Sequence, residues 1–264
     1  LFMVFGVLLL IAAKGLVHFW PHSIIQAEVV VKDGTRRHIL GELVSSEDVP
    51  VDQLKTAGIT VKPGVLFLQR DLFKFGNRDL SGHDFGWLLE RNVENRSYPE
   101  NAIAMERREW GNFYGFLVAV KEQGKVVASG DASWEALQGR LDRALILHDD
   151  IEHIEKNEIG HINNELERLR LERRRLELKD QLTPDRMADI SSRKAGFQAE
   201  YEVLQKQLVD LYTAAGRDSL VAKSVNGLEL NLPLSKIVRV YQPNAMNLFQ
   251  KVGFYCAKIW EFVS

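Results

Sequence analysis

Apolar residues recur with two different periods along this chain, and the changes of period mark its elements. From residue 24 the period is two: Ile25, Ala27, Val29 and Val31 alternate with Gln26, Glu28 and Val30. After Asp33-Gly34 the alternation resumes with Ile39, Gly41 and Leu43, so two strands joined by a glycine-containing turn are predicted. Further strands are predicted at 65–69, 102–106, 113–121 and 125–128, the last two joined at Gln123-Gly124. Residues 76–99 read as a loop-rich stretch with one short apolar patch at 85–89.

At Asp131 the period becomes helical. A first helix, capped by Asp131 or Ser133, is predicted to run without proline to about Gln181. A second begins with Thr183 as cap and Pro184 in its first position. Met187, Ile190, Lys194, Phe197, Tyr201, Leu204, Leu208, Leu211 and Ala215 follow at heptad steps, and Gly216 is placed as a left-handed cap. Joined by so short a turn, the two are expected to fold back on one another. Beyond them the period returns to two, with Asn226-Gly227 as a turn signal and strands near 220–222, 228–232 and 237–240.

The fold class this predicts is α+β: a small β-rich membrane-proximal base with an inserted long antiparallel coiled-coil helical hairpin. The expected divisions are a truncated transmembrane helix at 1–20, the first part of the β-rich base at 21–130, and the helical pair at 131–216. The second part of the base follows at 217–242, and an amphipathic, membrane-interfacial helix at 243–264.

Membrane contact is read from both ends. Residues 1–13 are almost unbroken apolar, and Phe19 and Trp20 then stand where an interfacial aromatic belt belongs. Neither a basic stretch before the run nor a small-residue cleavage site after it suggests a signal peptide. In 244–264 a helical apolar stripe is broadened by Phe249, Phe254, Trp260 and Phe262, with Lys251 and Lys258 on a polar side.

Composition adds mainly exclusions. With 45% hydrophobic and 27% charged residues the chain is an ordinary folded protein, and a net charge of −2 gives no reason to expect nucleic acid. A single cysteine, Cys256, leaves no intrachain disulfide and no cysteine metal cluster. No phosphate-binding glycine loop, no His-x-x-x-His pair and no Gly-x-Ser-x-Gly elbow is present. The chain is therefore read as no enzyme, with no catalytic, metal or cofactor residues. Arg78, Arg107 and Arg108 are candidates for holding an anion, because arginine offers paired donors. Lys179, Asp180, Asp185 and Arg186, at the turn between the two helices, are candidates for partner contact.

Three stretches carry a resemblance: Asn77-Arg78-Asp79-Leu80-Ser81-Gly82-His83-Asp84-Phe85-Gly86-Trp87, Glu106-Arg107-Arg108-Glu109-Trp110-Gly111, and Leu232-Pro233-Leu234-Ser235-Lys236-Ile237-Val238-Arg239. In these the chain resembles the extracytoplasmic insertion of PstA-type permease subunits of bacterial phosphate ABC transporters. The ending, Pro243-Asn244-Ala245-Met246 to Trp260-Glu261-Phe262-Val263-Ser264, resembles the return toward the membrane. The resemblance implies a non-catalytic domain at the bacterial inner membrane, facing the periplasm and serving phosphate uptake. Its implied partners are a second permease subunit, a cytoplasmic ATPase subunit, a periplasmic phosphate-binding protein and the lipid bilayer. The family's membrane helices and ATPase-docking loop have no counterpart here. The alternative reading is a periplasmic adaptor of an efflux or secretion system, which also joins an anchor, strands and paired helices.

Overall fold

The computed structural model describes Gly15 and residues 19–31, 34–56 and 58–263, so the expected membrane helix at 1–20 lies almost wholly outside the described residues. Two antiparallel sheets are formed. The first has the order β4-β3-β2-β1-β5, from β1 (Ile24–Val30), β2 (Arg36–Pro50), β3 (Phe67–Lys74), β4 (Phe85–Leu89) and β5 (Val93–Ser97). The second has the order β10-β9-β7-β6-β11, with β8 (Lys125–Ser129) also paired to β7. Its strands are β6 (Ala102–Arg107), β7 (Phe113–Glu122), β9 (Asp218–Lys223), β10 (Glu229–Pro233) and β11 (Ile237–Tyr241). The helices are α1 (Val51–Thr56), α2 (Arg78–Ser81), α3 (Ala132–His153), α4 (Ile159–Leu178), α5 (Pro184–Ala215) and α6 (Leu248–Val263).

The chain divides into two compact units. The described residues up to 118, with 221–231 and 236–263, form the first; residues 119–220 and 232–235 form the second. In the first unit, Ile24 and Leu40 from one sheet pack with Ala102, Ala104, Tyr114 and Tyr241 from the other, and Met246 and Phe254 press against them. The opposite face of the first sheet carries Ile25, Ala27 and Phe73, with Ile39, Leu43, Leu88 and Val93 beside them. Residues 39–43 of β2 thus serve both faces. Gly41 is required there, since a Cβ at that position would lie 2.3 Å from the Lys74 carbonyl oxygen.

In the second unit, α3 and α4 are joined by a π-helical turn, Ile154–Glu158, into one run of 47 helical residues. Ile151, Ile154 and Ile162 pack on Leu204, Leu208 and Ala215; separately, Leu169 and Leu176 pack with Ile190. The root of α3 is tied down by ions: Arg143 and Arg217 both reach the buried Asp218 carboxylate, at 3.1 and 2.8 Å, and Arg140 reaches Glu122 at 3.0 Å.

Several expectations are corrected. The β part is no small base but two sheets of five and six strands, and it includes β4 and β5 from the stretch read as loop. The long coiled-coil hairpin is not formed. Its expected heptad seam is broken: Met187 is 49% exposed, Lys194 is exposed, and the buried positions of α5 are Ile190, Leu204, Leu208 and Ala215 alone. A π turn inserts one residue into the helical repeat and rotates every following side chain, so one continuous seam cannot persist along the first helix. Asp131 makes no side-chain cap bond, and Gly216 is right-handed at φ −79°. Thr183 does cap α5, accepting from the Arg186 amide at 3.4 Å.

Candidate functional site: a charged cavity beneath an outward-apolar helix

Within the first unit, parts of the stretches that carry the resemblance are joined by hydrogen bonds: residues 77–79, 107–111 and Lys236. Asn77 sits in the left-handed region at φ 56°, which turns its amide toward β7. There its Nδ2 donates to the Tyr114 carbonyl at 2.9 Å and its Oδ1 accepts from the Tyr114 amide at 2.8 Å. The side chain thus replaces a strand neighbour. Next to it Arg107 closes a bidentate pair with Asp79, Nη1–Oδ2 at 2.8 Å and Nη2–Oδ1 at 2.9 Å. Its Nε donates to the Gly111 carbonyl at 3.0 Å and its Nη2 to that of Trp110 at 3.1 Å. The Arg108 amide donates to the Lys236 carbonyl at 3.0 Å, and Lys236 pairs with Glu109.

The three arginines read as anion candidates are placed differently. Arg107 is 8% exposed and its donors are spent on Asp79 and two carbonyls, whereas Arg78 and Arg108 are exposed at the surface. The Arg107 guanidinium beside Asp79 holds that carboxyl below the usual carboxylate range. Lys179, Asp180, Asp185 and Arg186 are all exposed around the turn between α4 and α5, where Arg186 also donates to the Gln181 carbonyl.

The α6 helix turns much of its apolar surface outward. Lys258 pairs with Glu106 and Lys251 reaches the Ser23 hydroxyl at 3.5 Å, while Glu261 pairs with Arg239 and keeps 58% of its side-chain exposure. Phe254 also faces inward, its ring 4.5 Å from that of Tyr241. Outward stand Phe249, Val252, Gly253, Cys256, Ala257, Trp260 and Val263, at helical steps and with no charge among them. Phe249 is 87% exposed and Trp260 75%. Of the aromatics read as interfacial, Phe249, Trp260 and Phe262 are therefore exposed, while Phe254 belongs to the core margin. Phe19 lies against Phe262, with ring centroids 5.3 Å apart, and Trp20 against Tyr255 at 5.7 Å.

Between α6 and the sheets lies a cavity of ≈ 600 Å³. Its walls carry Glu42, Lys74, Glu106, Arg239, Lys258 and Glu261; Phe19, Trp20, Val44, Phe85 and Phe262 line it as well. Glu42 on β2 stands opposite Lys74 on β3. Burial pushes the Glu42 carboxyl up despite Lys74 and a hydrogen bond with the Tyr114 hydroxyl, which also accepts from Asn112 at 3.3 Å. Burial likewise pushes up the Tyr241 hydroxyl, which bonds Glu106. The sequence reading passed over this cluster. Its one local signal was Glu42, an acid in the middle of an otherwise apolar strand segment; Lys74, Tyr241 and Lys258 reach it only through the fold.

Among the described residues, no group of three or more His, Cys, Asp or Glu is placed to hold a metal ion, and no helix is long and apolar enough to cross a membrane. Compared with family models, with curated proteins and with solved structures, the chain finds no match in any of the three.

Proposed function

We propose that this chain is a non-catalytic, extracytoplasmic domain that lies against a lipid bilayer through α6, as part of the phosphate-importer permease it resembles. The observation that carries the reading is the inverted amphipathicity of α6. A helix that pairs its charges inward and presents Phe249, Val252, Trp260 and Val263 outward pays for that exposure in water but not against hydrocarbon. The ring contacts of Phe19 and Trp20 with α6 support it too. Phe19 and Trp20 follow the apolar sequence run 1–13, so their contact with α6 suits a domain inserted between two membrane segments.

In this reading the Asn77, Arg107 and Lys236 motifs are structural. They lock one corner of the sheets, and transport belongs to partners: a second permease subunit, an ATPase and a phosphate-binding protein. The bilayer is the bacterial inner membrane, with the domain on its periplasmic side. The test is phosphate uptake in cells lacking the parent gene. Intact parent protein is expected to restore uptake, and Phe249→Glu/Trp260→Glu, expressed equally, to restore it poorly. Uptake indifferent to the intact gene would sink the permease assignment; membrane association that survives the double substitution would sink the role of α6.

A further inference from the structure

The cavity beneath α6 holds two opposite charges that the protein brings together without satisfying. Glu42 and Lys74 are cross-strand partners, yet among the described residues neither makes an ion pair within 4.0 Å. Nor does Lys74 make a side-chain hydrogen bond among them, and Glu42 has only the Tyr114 hydroxyl. Of the neighbouring cations, Lys258 is committed to Glu106 and Arg239 to Glu106 and Glu261, while the His22 imidazole also lines the cavity. A buried carboxylate without a cation is costly, and Glu42 is 8% exposed. A simple anion would meet Lys74 but would sit against Glu42. A simple cation would do the reverse. A zwitterion laid across the pair, anion to Lys74 and ammonium to Glu42, satisfies both.

The cavity's other wall residues point to where such a group comes from. Phe19, Val44, Phe85 and Phe262 are apolar; Val44, Phe85 and Phe262 are exposed, and the Phe19 ring lies against that of Phe262 on α6. A polar cradle beside apolar and aromatic side chains matches an amphiphile whose head enters while its chains remain in the bilayer. We propose that the cavity binds the headgroup of a zwitterionic phospholipid of the phosphoethanolamine class, the phosphate toward Lys74 and the ammonium toward Glu42. The primary ammonium matters, because it donates hydrogen bonds to a carboxylate and a quaternary one cannot. This rests on the bilayer-facing role of α6 proposed above.

The experiment is flotation of the full chain with vesicles of phosphatidylcholine alone or mixed with phosphatidylethanolamine or phosphatidylglycerol. Expected are binding to all three, about tenfold tighter with phosphatidylethanolamine, and loss of that preference in Glu42→Gln/Lys74→Met. The double variant keeps its phosphatidylcholine binding, which shows that it has folded. Equal binding to all three compositions overturns the headgroup site and leaves the bilayer reading standing. Tighter binding to phosphatidylglycerol overturns it in favour of a plain anion site, and a preference retained by the double variant places recognition elsewhere. Binding to no vesicle overturns both.

Discussion

Arg107 and Asp79 stand 28 positions apart and form a bidentate ion pair from which the Arg107 side chain is almost wholly withdrawn from water, at 2% exposure. Breaking a buried pair strands one charge, which typically costs 3–5 kcal/mol. Asp79 keeps 19% of its side-chain exposure, so Arg107→Ala is expected to lower stability by about 3 kcal/mol in urea unfolding. Arg107→Lys should recover little, since an ammonium cannot reproduce the fork or reach both the Gly111 and Trp110 carbonyls.

The same pair sets an acid limit. Because Arg107 lowers the folded-state value of Asp79, its contribution is present above the ordinary carboxylate value of 3.8 and disappears as pH falls through the lower folded value. Wild type should therefore lose stability at acid pH more steeply than Asp79→Asn, whose curve lacks this component. Parallel slopes below pH 4 would count against the pair.

Glu42 acts in the opposite sense. Burial raises its folded-state value above the ordinary 4.5, so its contribution is full below 4.5 and is lost as pH rises through the raised value. Glu42→Gln is expected to flatten stability across that alkaline-going window and to leave stability below 4.5 nearly unchanged.

Asn77 combines two roles that substitution can separate. Alanine removes both bonds to Tyr114 and keeps the left-handed strain, for an expected loss of about 3 kcal/mol. Glycine relieves the strain alone and should recover about 1 kcal/mol of it. Thermal unfolding of the two variants measures the difference.

On α6 the two aromatic roles predict opposite readouts. Phe254→Ala should cost about 2–3 kcal/mol, because its ring packs on Tyr241 and lies under Arg239. Trp260→Glu should leave stability within about 0.5 kcal/mol and weaken vesicle binding, as suits a side chain 75% exposed.

The legible parts of this chain are those set by neighbours in sequence. The alternation in β1 and β2 and the Thr183-Pro184 start of α5 were readable because each is decided within a few residues. So was the Gln123-Gly124 turn, where Gly124 takes φ 77° freely and Gln123 is held at 49°. What failed depends on distance. Residues 85–97 read as loop because Gly86, Asn92 and Asn95 mask two short strands that pair with β3 and β1. The π turn has no local signature in Ile154-Glu155-Lys156-Asn157-Glu158, and it cancels a heptad count that assumes a constant repeat. Of the site, the exposed aromatics of α6 were visible as a stripe, but not which of its faces meets the body. That choice belongs to Glu106 and Arg239, which capture the charges of α6 from more than 20 residues away.

One side chain near the start of α6 carries a further consequence. Asn244 accepts from the Ile24 amide at 2.9 Å, and its Nδ2 donates to the carbonyls of Ile24 at 2.8 Å and Pro99 at 2.9 Å. Positions 220 residues apart are thereby held at a single amide. Losing that one side chain releases both ends together: without it the Ile24 amide and the carbonyls of Ile24 and Pro99 lose a shared partner, so the start of β1 and the lead into α6 loosen as one.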